Sequence, residues 1–152
     1  LKACVNTEIP EDGVSRLPQA VYSTALALLR AFGFDRVVLL FHDREEEVLR
    51  PVFWAGREPL DLENLRRDLE TFPEHEPDKV AFFHRKTVFH GDPLFEQDWP
   101  FVAFPVIWDH EVEAVFYADR KQTKDAHPLN TEEQVSLIAL AEIWQHIPTD
   151  FR

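Results

Sequence analysis

Residues 101–120 constrain the fold more than any other part of this chain. Two apolar runs in this segment meet at Asp109 and His110, and this arrangement is typical of two strands joined by a tight turn. After a polar loop, apolar residues recur at helical spacing from residue 131 to residue 146. A helix and a sheet each bury an apolar face against another element. The segment therefore predicts a β-hairpin covered by a helix.

The earlier part of the chain predicts more elements of the same sheet. A helix is expected over residues 18–31, because apolar residues recur there at helical spacing and Gly33 follows as a stop. A strand buried on both faces is expected over residues 37–41. An acidic turn at residues 43–47 then leads back into a second strand over residues 48–54. Pro51 cannot donate to a ladder, so an edge position or a bulge is expected there.

The region between residues 56 and 100 predicts a mixed insert. Helices are expected over residues 60–69 and 78–84, and a short strand over residues 87–90. The sequence as a whole predicts an α+β fold with an antiparallel sheet covered on both sides. The expected division is a connector at residues 1–16, one domain at residues 17–147 and a tail at residues 148–152.

Charge and length exclude several classes of function. The 152 residues suit one domain, and 28 acidic against 16 basic residues give a formal net charge of -12. This charge repels phosphate groups, so neither a nucleic acid nor an anionic membrane surface is an expected partner. No apolar run reaches the length of a membrane span. The single cysteine, Cys4, agrees with a reducing compartment, and we expect the protein in the cytoplasm.

The pattern of the last third resembles that of a GAF domain. The residues that carry this resemblance are Phe104-Pro105-Val106, Asp109-His110, Ala114-Val115-Phe116 and Asn130-Thr131-Glu132-Glu133. The first helix, followed by Gly33-Phe34-Asp35-Arg36 and an apolar strand, also looks like the start of a GAF domain, and the resemblance covers residues 17–147. Two positions depart from it, because many GAF domains have glycine where this chain has His110 and Ala114. Without glycine, the turn is expected to be of a non-primed type, a bulge or a strained Asp-His pair.

The resemblance implies a non-catalytic sensory domain of a bacterial signal-transduction protein. Such a domain binds a small molecule or mediates dimerisation, and it controls a separate output domain. Residues 116–120 are similar to GAF segments that accompany HD-related output domains. The resemblance also implies that the terminal helices cover one face of the sheet, while the insert roofs a ligand pocket on the other.

Aromatic residues with a few polar neighbours are the expected lining of that pocket. Alternation along the last strand places Val115 and Tyr117 on one face and Ala114 and Phe116 on the other. The expected ligand-binding residues are Arg50, Trp54, Phe82, His90, Trp99, Phe104, Tyr117 and Asp119. Against this expectation stands the simpler interpretation that each ring only fills the core. The sequence indicates no particular cofactor.

Catalytic and metal-binding motifs give little support to an enzyme. The seven histidines form neither an i, i+4 pair nor an HExxH motif, so no metal site is expected. GAF-type reductases of free methionine sulfoxide rely on several cysteines, which argues against that activity here. An alternative from another class is a small enzyme that uses His90, Asp92 or Asp119 as an acid or base.

The last helix carries an apolar stripe that is wider than one contact with a sheet requires. The apolar residues are Val135, Leu137, Ile138, Leu140, Ala141, Ile143, Trp144 and Ile147. Asn130 and Glu133 have the spacing of a capping box, and Pro148 is expected to end the helix at residue 146 or 147. The stripe predicts a second contact surface, and the resemblance to GAF domains implies that this surface forms a homodimer through the first and last helices. The alternatives are a wholly intramolecular helix and a dimerisation module whose pocket is closed by its own aromatic side chains.

Overall fold

The computed structural model describes residues 2–4, 17–56, 62, 65–71, 74–121 and 128–145. Its elements are β1 (Lys2–Cys4), α1 (Leu17–Arg30), β2 (Arg36–Asp43), β3 (Val48–Gly56), β4 (Arg67–Asp68), α2 (Pro77–His84), β5 (Phe101–Trp108), β6 (Glu111–Asp119) and α3 (Thr131–Ile143). The strands form one antiparallel sheet in the order β1-β3-β2-β6-β5, and β4 also pairs with β3. The predicted α+β fold is confirmed. No helix in these residues is both long and apolar enough to cross a bilayer.

The turn between β5 and β6 is a left-handed Asp-His pair. Trp108 pairs with Glu111, and the two residues between them have φ angles of 51° at Asp109 and 67° at His110. Positive φ at both central positions is typical of a type I′ hairpin turn, which matches the right-handed twist of its strands. Of the three expected arrangements, the strained pair is the one that forms.

Pro51 lies at a bulge in β3, which is one of the two arrangements expected from the sequence. Leu39 pairs with Phe53 and Leu40 pairs with Pro51, so Val52 is an extra residue on β3. The bulge leaves proline at a point where the ladder is irregular and its missing N–H does little harm.

The terminal helices cover one face of the sheet, which we call the helix face. Inward residues of α1 and α3, such as Leu28 and Leu137, are buried there against Phe116. The other face, called the insert face, carries Val38, Val115 and Tyr117 under residues of the insert. Both faces are therefore covered, and the predicted alternation from Ala114 to Tyr117 is confirmed. Before Ala114, a bulge in the ladder with β5 interrupts the alternation, so that Val112 also lies on the insert face.

Four details differ from the sequence-based expectations. Lys2–Cys4 form a strand beside β3 within the segment expected to be a connector, and three residues are too few to show a strand period. Arg67–Asp68 form β4 instead of ending a helix, while residues 57–61 and 63–64 lie outside the described part. The expected strand at residues 87–90 is reduced to one bridge, between Val88 and Ala103. Helix α3 ends at Ile143, and residues 146–148 are not described.

Candidate functional site

The predicted ligand-binding residues do not form one site. Phe104 lies on the helix face, where its ring centroid is 5.1 Å from that of Phe116. The expectation that it lines a pocket under the insert is therefore wrong. The sequence could not decide this, because its neighbours Ala103 and Val102 are equally apolar and do not show which face each residue occupies. Arg50 sits at the β2–β3 hairpin, where its Nε donates to Asp43 Oδ2 at 2.8 Å.

The other predicted residues are only partly brought together. Phe82 packs its ring against His42, with 4.8 Å between centroids, and both Phe82 and Trp54 pack against the insert-face core. His90 and Trp99 line a cleft beside β5. Tyr117 and Asp119 are buried together at the end of β6.

A buried ion pair joins Asp119 to Arg36, which sequence reasoning missed. Arg36 opens β2 and lies directly opposite Asp119 in the ladder with β6. Arg36 Nε donates to Asp119 Oδ1 at 2.8 Å, and Arg36 Nη2 donates to Oδ2 at 2.8 Å. Only 3% of the Arg36 side chain and none of the Asp119 side chain is exposed. This two-point geometry is the strongest form of the arginine–carboxylate interaction.

Tyr117 extends the pair toward the insert. Its hydroxyl donates to Asp119 Oδ2 at 3.0 Å and accepts from the backbone N–H of Leu94 at 3.0 Å. Burial raises the pKa of Tyr117 well above its ordinary value, and the nearby carboxylate raises it further. The hydroxyl therefore stays protonated. Burial also raises the pKa of Asp119, and the hydrogen bonds and charge of Arg36 oppose that rise only in part.

Two rings of the insert cover the Arg36 guanidinium. The Trp99 ring centroid is 4.0 Å from Arg36 Cζ and the Phe95 ring centroid is 4.9 Å from it. Both are cation–π distances, which stabilise more when the cation is shielded from water. Glu96 Oε1 also lies 4.0 Å from Arg36 Nη1. The segment from Leu94 to Trp99 is thus attached to the sheet chiefly through Arg36 and Tyr117.

A second ion pair holds the insert together. Arg67 of β4 donates to Asp78 of α2 from Nε at 2.9 Å and from Nη2 at 3.1 Å. Asp78 is fully buried, and the mostly buried Lys79 reaches Glu76 Oε2 at 2.6 Å. Because each buried charge has a partner, the network fastens β4 to the start of α2 without leaving an isolated charge.

An open cleft of about 290 Å³ lies beside the segment that covers Arg36. One wall belongs to residues 89–101 and the other to residues 128, 129 and 134, at the start of α3. Its aromatic wall includes Trp99, the ring that also covers Arg36. His90 and Asp92 line the cleft, whereas Asp119 does not, so the three residues of the enzyme alternative do not converge there. Among the described residues, no group of three or more His, Cys, Asp or Glu side chains is placed to hold a metal ion.

The start of α3 is fixed by hydrogen bonds near the cleft. Asn130 Oδ1 accepts from the backbone N–H of Glu133 at 2.8 Å, and Glu133 Oε1 accepts from the backbone N–H of Asn130 at 3.2 Å. The predicted capping box is confirmed. Arg120 Nη1 donates to Glu133 Oε2 at 2.7 Å, which ties the helix start to the residue after Asp119.

No family model matches the sequence, and no curated protein does so either. Solved structures do match. The GAF domain/HD domain protein from Geobacter sulfurreducens has a TM-score of 0.67 and 13% identity, over 90% of this chain and 94% of that chain. The second GAF domain of DevS from Mycobacterium smegmatis has a TM-score of 0.63 and 20% identity, over 84% and 92%.

An enzyme also shares the architecture. Free methionine-R-sulfoxide reductase from Neisseria meningitidis, solved in complex with its substrate, has a TM-score of 0.57 and 17% identity, over 93% of both chains. At such low identities the likeness establishes a fold and leaves function open. The order of strands, the helices on one face and the insert on the other agree with it. The chain has the fold of a GAF domain.

Proposed function

We propose that this chain is a cytoplasmic regulatory domain of a bacterial signal-transduction protein, without catalysis of its own. It acts as a homodimer and controls a separate output domain of the same protein. The GAF fold supports the general role, because the similar structures include GAF domains and a segment of a methyl-accepting chemotaxis protein. The similarity to a GAF domain/HD domain protein favours an HD-related output domain.

The outer face of α3 carries this proposal. The helix packs Leu137, Ala141 and Trp144 on the sheet, yet its outer face is also apolar. Val135 is 61% exposed, Ile138 40% and Ile143 66%. Three exposed apolar side chains beside a buried apolar face give the helix a second apolar surface, although Glu132, Ser136 and Glu142 are exposed there too. A second copy of the chain would cover this face.

Helix α1 contacts the end of α3, and we include it in the proposed interface. Trp144 Nε1 donates to Thr24 Oγ1 of α1 at 3.0 Å, so the two helices are in direct contact. Tyr22 of α1 is another large hydrophobic side chain that is exposed. A symmetric dimer buries the same patch on both subunits, and two adjacent helices supply such a patch.

Substitution of Ile138 by Glu tests the dimer. The charge would be placed in the expected interface, so sedimentation velocity should show a dimer for the unmodified chain and a monomer for Ile138→Glu. Phe83→Glu is the matched control, because Phe83 is 42% exposed on α2, at the insert face. This control should remain dimeric. A monomeric unmodified chain at high micromolar concentration would contradict the proposal.

A small molecule is the second part of the proposed function. In the part of the chain that the structure describes, the chain's own side chains pack on the insert face, including the buried Phe101 and Tyr117. The open cleft beside Trp99 is therefore where we propose that a ligand binds. A thermal-shift screen of nucleotides, amino acids and haem tests this part. A ligand-specific rise in Tm supports the sensor, whereas no rise supports a dimerisation module without a ligand.

Reductase chemistry is not part of the proposal. The chain has a single cysteine, Cys4, at the edge strand β1. Of the alternative acid and base residues, Asp119 is already engaged by Arg36 and Tyr117. His90 and Asp92 remain at the cleft, where they suit binding as well as proton transfer.

A further inference from the structure

The cleft beside Trp99 has a lining of one charge sign. Asp92 and Asp98 belong to the lining together with His90, and among the described residues neither a lysine nor an arginine lines the cleft. Asp98 forms no ion pair with another described residue, and Nε2 of the His75 imidazole lies 3.8 Å from Asp92 Oδ2. The lining thus repels anions and attracts cations.

The cleft is also aromatic, which gives a second and independent reason for a cationic ligand. Phe89, Trp99 and Phe101 all belong to its lining. The Trp99 ring already holds one cation, because the Arg36 guanidinium lies 4.0 Å from its centroid. Indole is the side chain that binds organic cations best, and aromatic walls recognise ammonium groups that carry methyl or alkyl substituents.

The shape of the cleft limits the size of the ligand. Its volume of 290 Å³ is at the lower end of small-molecule pockets, which hold about 300–1,000 Å³. Gln97 and Gln134 also line the cleft, and the Gln134 amide nitrogen already donates to the Leu129 carbonyl at 3.1 Å. The polar part of the lining is thus mostly neutral apart from the two aspartates.

We propose that this cleft binds a small organic ammonium ion. The carboxylates of Asp92 and Asp98 supply the opposite charge, and the aromatic wall contacts the alkyl groups of the ammonium centre. This inference rests on the ligand part of the proposed function, and it concerns the edge of the sheet beside β5 and α3 rather than the filled insert face.

The test compares choline with 3,3-dimethylbutan-1-ol, which has the same shape without the charge. Binding to the full chain is followed by tryptophan fluorescence and by calorimetry at low ionic strength. Choline should bind at least about tenfold more tightly than the neutral alcohol, because the charge is what the cleft recognises. Equal binding of both compounds, or no binding of choline, would overturn the inference.

Variants locate the binding to the cleft. Asp92→Asn and Asp98→Asn each remove one charge without changing size, and each should weaken choline binding by about threefold to tenfold. Glu45→Gln is the matched control, since Glu45 is an exposed carboxylate in the β2–β3 hairpin, and it should leave binding unchanged. Equal loss in all three variants would show a general charge effect and would overturn the inference. The dimer test is independent of these results. If choline does not bind, the expected oligomeric states of the unmodified chain and of the Ile138→Glu variant are unchanged.

Discussion

Replacement of Arg36 by Met should cost several kcal/mol of folding free energy. The change removes both 2.8 Å hydrogen bonds to Asp119 and leaves its carboxylate buried without a cation. Breaking a buried ion pair in this way costs about 3–5 kcal/mol. The aliphatic part of Met keeps part of the packing against Trp99, so we expect the free energy of unfolding to fall by about 4 kcal/mol. This is a large share of the total stability of a domain, which is about 5–15 kcal/mol.

A double-mutant cycle separates the pair from its surroundings. Asp119→Leu alone leaves the guanidinium buried without its partner, so it should cost about as much as Arg36→Met. The double variant removes both charges and should cost much less than the sum of the single costs. Urea denaturation followed by tryptophan fluorescence gives the free energy of unfolding of each variant. A cost below about 1 kcal/mol for Arg36→Met, or single costs that add to within about 0.5 kcal/mol, would refute the reasoning.

The pH dependence of Arg36→Met supplies a second readout. Burial raises the pKa of Asp119 above its ordinary value, and loss of Arg36 removes the interaction that opposes this rise. The folded variant then binds a proton that the unfolded chain has released. Its stability is greatest at acidic pH and falls as pH increases through the raised pKa, by at most about 1.4 kcal/mol per pH unit. The difference in free energy of unfolding between Arg36→Met and the unmodified chain should therefore become smaller as pH falls from neutral. The double variant, which lacks Asp119, should not show this change.

Two further substitutions test local features of the fold. Asn130→Ala removes the side-chain acceptor of the α3 capping box and should lower the free energy of unfolding by about 1 kcal/mol, measured by urea denaturation; an unchanged value would mean that the cap is not formed in solution. His110→Gly relieves a residue with a φ angle of 67° and should raise the same free energy by about 0.5 kcal/mol, because the strain in the left-handed region outweighs the added chain entropy of glycine. A loss of stability on His110→Gly would contradict the left-handed turn.

Local patterns predicted most of the fold. The capping box, the bulge at Pro51 and the hairpin turn at Asp109 all depend on residues close together in sequence. The capping box forms as expected, while the bulge is one of two expected arrangements and the turn one of three. The position of Phe104 could not be predicted, because β5 is apolar on both faces and alternation gives no direction there. Strand β4 has two residues, too few to show a period.

Arg36 was missed for a different reason. A charged residue at the first position of an apolar strand usually points to solvent, and nothing near Arg36 indicates burial. Its partner Asp119 is 83 residues away and becomes its neighbour only through the pairing of β2 with β6. The one indication in the sequence was Asp119, a second charged residue at the end of the last strand. Two charges at the ends of strands that pair antiparallel can meet, but the pairing has to be known first.

The start of α3 connects the two parts of the proposed function. Gln134 lines the cleft, while the next residue, Val135, belongs to the exposed outer face. Glu133 is bound by Arg120, which directly follows the buried Asp119. A ligand between Trp99 and Gln134 would therefore contact the roof of the ion pair and the first turn of the helix together. Because a helix moves as a rigid element, a small shift at this turn would be carried along the apolar face on which the dimer is proposed to form. Such a coupling has to be reciprocal, so dimerisation would change the affinity of the cleft by the same factor.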